Sequence, residues 1–412
     1  MNKSNQISPI QQSERYLSLD FLRGIAVLGI LIMNIQSYSM IEAAYINPTA
    51  FGDFTGINKL VWILSHIFAD QKFMTIFSIL YGAGIVLITN RAEAKNVSAA
   101  GLHYRRTFWL LVIGLCHAYL LWHGDILVTY AVCALVVFVF RKISSKGQLL
   151  TGLIIVSIAS ILYLLFGWSM QFWPEQAIQE TLVSWKPGPE IVAKEIATFQ
   201  GGWIQQMSHR VPSAIKFQTF IFFIFTGWRA GGLMLIGMAL YKFGVLTAER
   251  SNKFYLWGII AGFVVGLSSV IIGVIQNFNE NFSLQFSMFF GWQFNYLGSL
   301  FVAFAYICLI MLFFKTKPNN KIISYFGDVG RMALSNYLLQ TIICTIIFYG
   351  HGFGLFAEVE RYLQLLITLG IWIVLVVISH VWLKYYLFGP FEWFWRSLTY
   401  WKFQPMRNYT VS

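Results

Sequence analysis

Hydrophobic residues along this chain come in long, nearly unbroken runs. They are neither the two-residue alternation of a half-buried strand nor the narrow stripe of a soluble amphipathic helix. Ten such runs stand out, at 22–41, 60–89, 107–122, 126–141, 148–168, 215–240, 254–276, 290–314, 332–350 and 363–388. A run of about 20 apolar residues is what a helix needs to cross a ~30 Å hydrocarbon core. In lipid a backbone must satisfy its own polar groups, so each run is expected to be helical. The pattern predicts an all-α, polytopic transmembrane helix bundle of about ten spanning helices. It forms one domain over 17–400, between a disordered cytoplasmic tail at 1–16 and a second tail at 401–412. The longest polar interval, 169–214, carries Trp173, Pro174, Pro187, Gly188, Pro189, Gly201, Gly202 and Trp203, with weak helical character at 189–200. It reads either as an extracytoplasmic cap over an outward-facing opening or as a tolerated insertion.

Composition agrees with the runs. Of 412 residues, 57% are hydrophobic and only 11% charged, against about 25% charged in soluble domains. The formal charge of +12 would suggest a nucleic-acid partner in a soluble protein. Here the basic residues sit in short intervals between runs, where they set topology, and no nucleic-acid partner is expected. Placing the N-terminus inside puts twenty-one of the 29 Lys and Arg residues on the inner side, which predicts that both termini are cytoplasmic. The four cysteines fall inside apolar runs without metal-ligand spacing, so they read as small core residues and no metal is expected.

Charged groups deep in a bilayer cost at least ~2.5–3.5 kcal/mol each and are functional candidates by default. His66 and Asp70 are four residues apart on one helix face. Lys72, counted from Leu60, falls near the midplane, and Arg229 lies at similar depth among Gly227, Gly231 and Gly232. These two cations face few deep acids, namely Asp70 and, at the outer rim, Asp125. Either an interhelical salt bridge or an anionic ligand would balance them, and one cavity lined by Asp70, Lys72, Arg229 and His117 is expected. His117 precedes a sharp turn ending in Gly124 and Asp125. It would serve as a general base, a proton carrier or a packing residue. Asn34 and Gln36 in the first run, and Ser335, Asn336 and Gln340 in the ninth, would either bind substrate or hydrogen-bond helices together. At the C-terminus, Gly389-Pro390 ends the last run, and Glu392 and Arg396, four apart, are placed to pair.

Five ordered segments carry a family resemblance. They are Leu19-Asp20-Phe21-Leu22-Arg23-Gly24; Lys72-Phe73 leading into Phe77-Ser78-Ile79-Leu80-Tyr81-Gly82; His117 with Gly124-Asp125-Ile126-Leu127; Gly330 to Gln340; and Gly389-Pro390 with Glu392-Trp393 and Arg396. Together they resemble the YeiB-like membrane proteins, a bacterial family named for a domain of unknown function. The first helix is also similar, through Asp20, Arg23 and Gly24, to a wider membrane acyltransferase superfamily that includes the acyltransferase-3 proteins and the heparan-α-glucosaminide N-acetyltransferases. The chain departs from both groups. It has Asn34 where the former carry a histidine, and no histidine at 43–59, where the latter carry theirs.

The resemblance implies a bacterial inner-membrane protein that moves an acyl group from a cytoplasmic acyl-CoA donor to an acceptor. In that reading Arg23, Arg105, Arg106 and Arg331 hold the CoA phosphates. His117 deprotonates the acceptor, Asn336 or Gln340 donates to the oxyanion, and Asp125 is a further catalytic candidate. Asn34, Asp70, Lys72 and Arg229 bind substrate. The partners are the lipid bilayer, the donor and the acceptor, with a homodimer left open. A transporter using Asp70, Lys72 and Arg229 for a small anion is the alternative. A non-enzymatic membrane subunit, in which the polar residues are only helix contacts, is a third class.

Overall fold

The computed structural model describes residues 16–407. The expected N-terminal tail, apart from Tyr16, and the last five residues of the C-terminal tail lie outside the described residues. The described chain is an all-α polytopic bundle. Its helices are α1 Leu17–Ser39, α2 Glu42–Ile46, α3 Gly56–Phe68, α4 Lys72–Ala94, α5 Ala99–Cys116, α6 Leu127–Val137, α7 Ser145–Ser169, α8 Glu175–Trp185, α9 Pro189–Gln200, α10 Met207–Lys216, α11 Gly227–Lys242, α12 Asn252–Asn279, α13 Trp292–Thr316, α14 Lys321–Arg331, α15 Ala333–Phe348, α16 Arg361–Tyr385 and α17 Pro390–Tyr400.

Each of the ten expected runs has a helical counterpart. Seven helical segments among the described residues are long and apolar enough to cross a membrane, and the bent pair α14–α15 makes an eighth. The remaining two runs form the α5–α6 hairpin. Its second arm, even with the 3-10 turn Phe138–Lys142, ends after sixteen residues, short of a full crossing by the ~1.5 Å rise of a helix. Broken helices, not evident in the apolar runs, are present. α14 and α15 meet at 78°, and α3 gives way to α4 at Gln71, which adopts a left-handed φ of 66°.

The core sits around α1, which is buried over 72% of its most apolar stretch, whereas α7 is buried over 17% and α16 over 22%. Lipid-facing helices therefore ring a protein-packed centre of α1, α4, α11, α14 and α15. The closest approach within that centre explains one family-like segment. A Cβ on Gly24 would land on the carbonyl of Phe326, and one on Gly330 on the carbonyl of Asp20. Only glycine lets α1 and α14 pack backbone to backbone there.

One end of the bundle gathers basic residues. Lys242 donates to the carbonyls of Arg141 and Ile143, Arg141 and Lys142 face Glu93, Lys315 donates to the carbonyl of Arg250, and the Trp395 indole donates to the carbonyl of Arg106. The opposite end is covered by α8 and α9, which occupy the interval expected as a cap. The Trp185 indole donates to the Phe282 carbonyl, Gly350 N–H donates to the Phe199 carbonyl, and the Gln200 amide donates to the Phe356 carbonyl. Trp185 and Phe199, the buried residues of α8 and α9, thus tie the interval to the bundle.

Candidate functional site

The helical ladder of α5 does not end cleanly. At His117–Leu121 it widens into a π-helical turn, a local distortion often found where a side chain must be re-aimed. The turn buries His117 (2% exposed) beside Asp125 (1% exposed). His117 Nδ1 lies 2.6 Å from Asp125 Oδ2. The other carboxylate oxygen accepts from the Val128 N–H at 2.7 Å, in the first turn of α6, where the helix dipole favours negative charge. A carboxylate can only accept, so the neutral imidazole carries its hydrogen on Nδ1 and leaves Nε2 as an acceptor. Nε2 meets Thr341 Oγ1 of α15 at 2.9 Å, and Thr341 Oγ1 meets the Tyr38 hydroxyl of α1 at 2.7 Å. Tyr38 stacks on Trp122 with centroids 4.2 Å apart, and Tyr337 packs against the imidazole at 5.1 Å. Two helices, one π-turn and the turn before α6 thus hold a continuous series, Asp125–His117–Thr341–Tyr38, with an acid, a base and hydroxyls in reach of one another.

Asp70, Lys72 and Arg229 form a different cluster. Lys72 Nζ donates to the His66 carbonyl at 2.8 Å and to Asn295 Oδ1 at 2.5 Å, while Asn295 Nδ2 donates to Asp70 Oδ2 at 2.7 Å. Asp70 also faces His66 Nδ1 at 3.0 Å. Arg229 donates to the Tyr296 carbonyl, Thr75 Oγ1 and Ser299 Oγ, and its guanidinium lies 4.4 Å from the Tyr296 ring centre. The four residues expected to line one cavity thus fall into two hydrogen-bonded groups. Asp70, Lys72 and Arg229 are packed between α4, α11 and α13, while His117 stands with Asp125 and α15. Asp125 is committed to His117 and Val128, so it is not the counter-ion of the two cations. Neutral oxygens satisfy most of their hydrogens. The helical segment Gly56–Ala94 runs for 39 residues, about 58 Å at ~1.5 Å per residue, too long to count depth from its start. Counted from Arg91 at the basic end, nineteen residues away, Lys72 lies about 28 Å along the helix axis.

At the basic end, Arg23 pairs with Asp20 at 2.7 Å, and Arg106 stacks on Trp395 at 4.3 Å. Arg396 lies over Phe388 at 4.6 Å. Burial holds its guanidinium below the usual range, partly offset by Tyr400, with Arg106, Glu392 and Asp20 also in electrostatic reach. Arg23, Arg106 and Arg396 thus gather around α17. Arg331 is instead tied to Asp328 at 3.2 Å, which also faces His380 at 2.9 Å, and Arg105 keeps a buried Nε with no hydrogen-bond partner. The expected Glu392–Arg396 pair on one helix face is replaced by a cap. Glu392 accepts from the N–H groups of Leu334 (2.6 Å) and Ser335 (3.1 Å) and from the Ser335 hydroxyl, filling the open amides where α15 starts.

The amides of α15 are engaged in packing. Asn336 donates to the Val329 carbonyl and to Ser379, and Gln340 donates to the Val27 carbonyl. Neither bonds the imidazole of His117. Asn34, one turn inward of Tyr38 on α1, is half-buried and makes no hydrogen bond among the described residues. Three cysteines are buried as expected, whereas Cys116 is exposed on the bundle surface.

Sequence reasoning missed a second polar layer beneath the cap. The Glu42 N–H donates to Glu195 Oε1 at 2.8 Å, and His209 Nε2 lies 3.7 Å from Glu195 and 4.0 Å from Glu42. Lys216 reaches Glu42 at 3.4 Å, and the rings of His123 and His209 lie 5.8 Å apart. Burial works against the charge of Glu42, yet His123, Lys216 and His209 hold its carboxyl below the ordinary range. Burial pushes Glu195 up to about 7 and the His123 imidazole down to about 4. Residues from α2, the turn before α6, α9 and α10 meet here, two residues in sequence from Asp125 and four from Tyr38. No local spacing announces such a meeting. The only signal was a scatter of His and Glu around the cap interval.

Comparison with known proteins adds kinship. Residues 240–402 match a family described as "Protein of unknown function (DUF418)". The chain is 31% identical over 398 residues to the uncharacterized protein YeiB of Escherichia coli (strain K12), covering 94% of this chain and 96% of that one. It is 30% identical over 428 residues to the uncharacterized protein YxaH of Bacillus subtilis (strain 168), covering 98% and 99%. An uncharacterized 39.9 kDa protein from the amylase 3′ region of Bacillus acidopullulyticus is 27% identical over 96% of both chains.

Proposed function

The chain belongs to the YeiB-like, DUF418-containing family of bacterial proteins, and on that premise we propose that it is a membrane acyltransferase of the bacterial inner membrane. It takes an acyl group from a cytoplasmic acyl-CoA and delivers it to a hydroxyl or amine acceptor. The observation that carries this reading is the His117 dyad. A base buried at 2% exposure, oriented through Nδ1 by a carboxylate and presenting Nε2 to a hydroxyl, is the arrangement that general-base acyl transfer requires. His103, by contrast, meets the Ala134 carbonyl through Nε2. Arg23, Arg106 and Arg396 at the basic end supply cations for the donor's phosphates, and half-buried Asn34 lies on the α1 path between them and Tyr38. No metal or cofactor is required.

The first test is binding of acetyl-CoA and palmitoyl-CoA to the purified full-length protein, alongside Arg23→Ala and Arg106→Ala. Charge-assisted contacts contribute roughly 1.5–3 kcal/mol, so each variant is expected to bind about ten-fold more weakly or worse. His117→Ala should bind the donor with little change and lose transfer by about 10²–10⁴-fold. Failure of well-folded protein to bind either thioester would overturn the reading and favour anion transport through the Asp70–Lys72–Arg229 cluster.

A further inference from the structure

The hydroxyl that meets His117 belongs to the protein itself. We propose that Thr341 is a nucleophile that carries the acyl group covalently, so that transfer proceeds by double displacement through an acyl-threonine ester. The inference rests on the acyl-transfer reading above and adds a covalent step to it.

Three distances carry the proposal. Asp125 lies 2.6 Å from His117 Nδ1, His117 Nε2 lies 2.9 Å from Thr341 Oγ1, and the Tyr38 hydroxyl lies 2.7 Å from the same oxygen. Nucleophile, base and orienting carboxylate within hydrogen-bond reach are recognised by geometry and role rather than by sequence order. The hydrogens fall into one order. Asp125 accepts from Nδ1–H, so Nε2 accepts from the Thr341 hydroxyl, and the Thr341 oxygen accepts from Tyr38. Tyr38 thereby keeps the single threonine hydrogen aimed at the base. A buried threonine in an apolar helix ordinarily returns its hydroxyl to the carbonyl four residues back. Thr368 does so at 2.9 Å, whereas the corresponding contact of Thr341, to Tyr337, is a weak 3.4 Å. The hydroxyl is given to the histidine instead. An acceptor held directly against Nε2 would first have to displace Thr341.

In the first step Thr341 Oγ1 attacks the thioester carbonyl carbon and its proton passes to His117 Nε2. The imidazolium is stabilised by Asp125. The tetrahedral adduct collapses with cleavage of the C–S bond, and the CoA thiolate leaves with the proton from His117. In the second step the acceptor hydroxyl or amine gives its proton to Nε2 and attacks the ester. The Thr341 oxygen departs and recovers that proton. Each half-reaction conserves atoms and charge, and no oxidant or metal enters.

The experiment incubates full-length protein with acetyl-CoA and palmitoyl-CoA carrying a radiolabelled acyl carbon, without acceptor, and then denatures it. Wild-type protein is expected to retain near-stoichiometric, alkali-labile label, located by peptide mass spectrometry to Thr341. Thr341→Ser should keep the label. Thr341→Val, Thr341→Ala and His117→Ala should lose it at least ten-fold while still binding the thioester. A threonine that only fixes the ring tautomer would leave no covalent adduct. Wild-type protein that binds thioester but takes no label, or takes it elsewhere, overturns the double displacement and leaves the base reading standing. Wild-type protein that binds no thioester removes both. Because the wild-type adduct is located directly, the test does not depend on any variant folding.

Discussion

At the scale of single residues, the buried polar groups divide by what satisfies them. Lys72 and Arg229 are held by an amide, two hydroxyls and two carbonyls, and His117 by a carboxylate and a hydroxyl that can exchange a proton. The layer under the cap is where titration should be visible. Glu195, at about 7, holds a proton in the folded protein that an unfolded chain, near 4.5, releases. Its contribution to stability is therefore full below the ordinary carboxyl range and is lost as pH rises through about 7. His123 works in the opposite direction. Its imidazole stays neutral in the fold down to about 4, against an ordinary 6.5, so its contribution is present above the ordinary value and fades as pH falls. Glu195→Gln isolates the first effect. The melting temperature of wild type minus that of Glu195→Gln should decrease between about pH 5 and pH 8, since each tenfold difference in proton affinity between folded and unfolded chain is worth about 1.4 kcal/mol. A difference that is flat or rises with pH would show that Glu195 is ionised throughout. His117 and Asp125 were legible in the sequence as candidate residues on either side of a tight turn, without their pairing. Thr341 and Tyr38 were not, since a lone hydroxyl in an apolar run is indistinguishable from one bonded to its own helix.

At the scale of elements, the family-like segments are explained by close packing and capping. α15 begins after a 78° bend with its first amides unpaired by any helix of its own. Glu392 of α17 offers Oε1 to the Leu334 and Ser335 amides and Oε2 to the Ser335 hydroxyl, although burial raises its carboxyl above the ordinary range. Removing it leaves buried N–H groups unsatisfied, a loss of about 1–3 kcal/mol. Glu392→Ala should lower the melting temperature, Glu392→Gln should retain part of the loss, and both should disturb Thr341 through the start of its helix. The contact of α1 with α14 admits no side chain at Gly24 or Gly330, so Gly24→Val should reduce folded yield sharply, while Gly84→Val, in open space on α4, should not. Equal yields from the two variants would mean that α1 and α14 separate easily. The long helices were readable because lipid demands a fixed length of apolar helix. The bends at Gln71 and Met332 were not, because Asp70-Gln71-Lys72 carries no Gly or Pro to mark a break, and Met332 stands where the ninth run begins, leaving α14 outside it.

At the scale of the whole molecule, the proposed reaction needs a direction, since the arginines, the Thr341 series and the capped polar layer follow one another from the basic end to the opposite end. Orientation in the membrane decides which compartment meets the donor. Cytoplasmic loops carry an excess of Lys and Arg, and twenty-one of 29 such residues fall on one side of the expected topology. The contacts linking Lys242 to Arg141, Lys315 to Arg250 and Trp395 to Arg106 join several of those intervals at one end of the fold, whichever of the helices are counted as spans. The same end holds Arg23 and Arg106, where an acyl-CoA made in the cytoplasm must bind, and α8–α9 close the other end. The test uses single cysteines in a chain whose exposed Cys116 has been replaced by alanine. Lys186→Cys, exposed at the end of α8, should react with a membrane-impermeant maleimide in intact cells. Lys146→Cys, exposed at the start of α7, should react only after the membrane is opened. The reverse pattern would place the arginines outside, away from any cytoplasmic thioester, and acyl transfer from CoA could not proceed in the proposed direction even if His117 and Thr341 were competent to perform it.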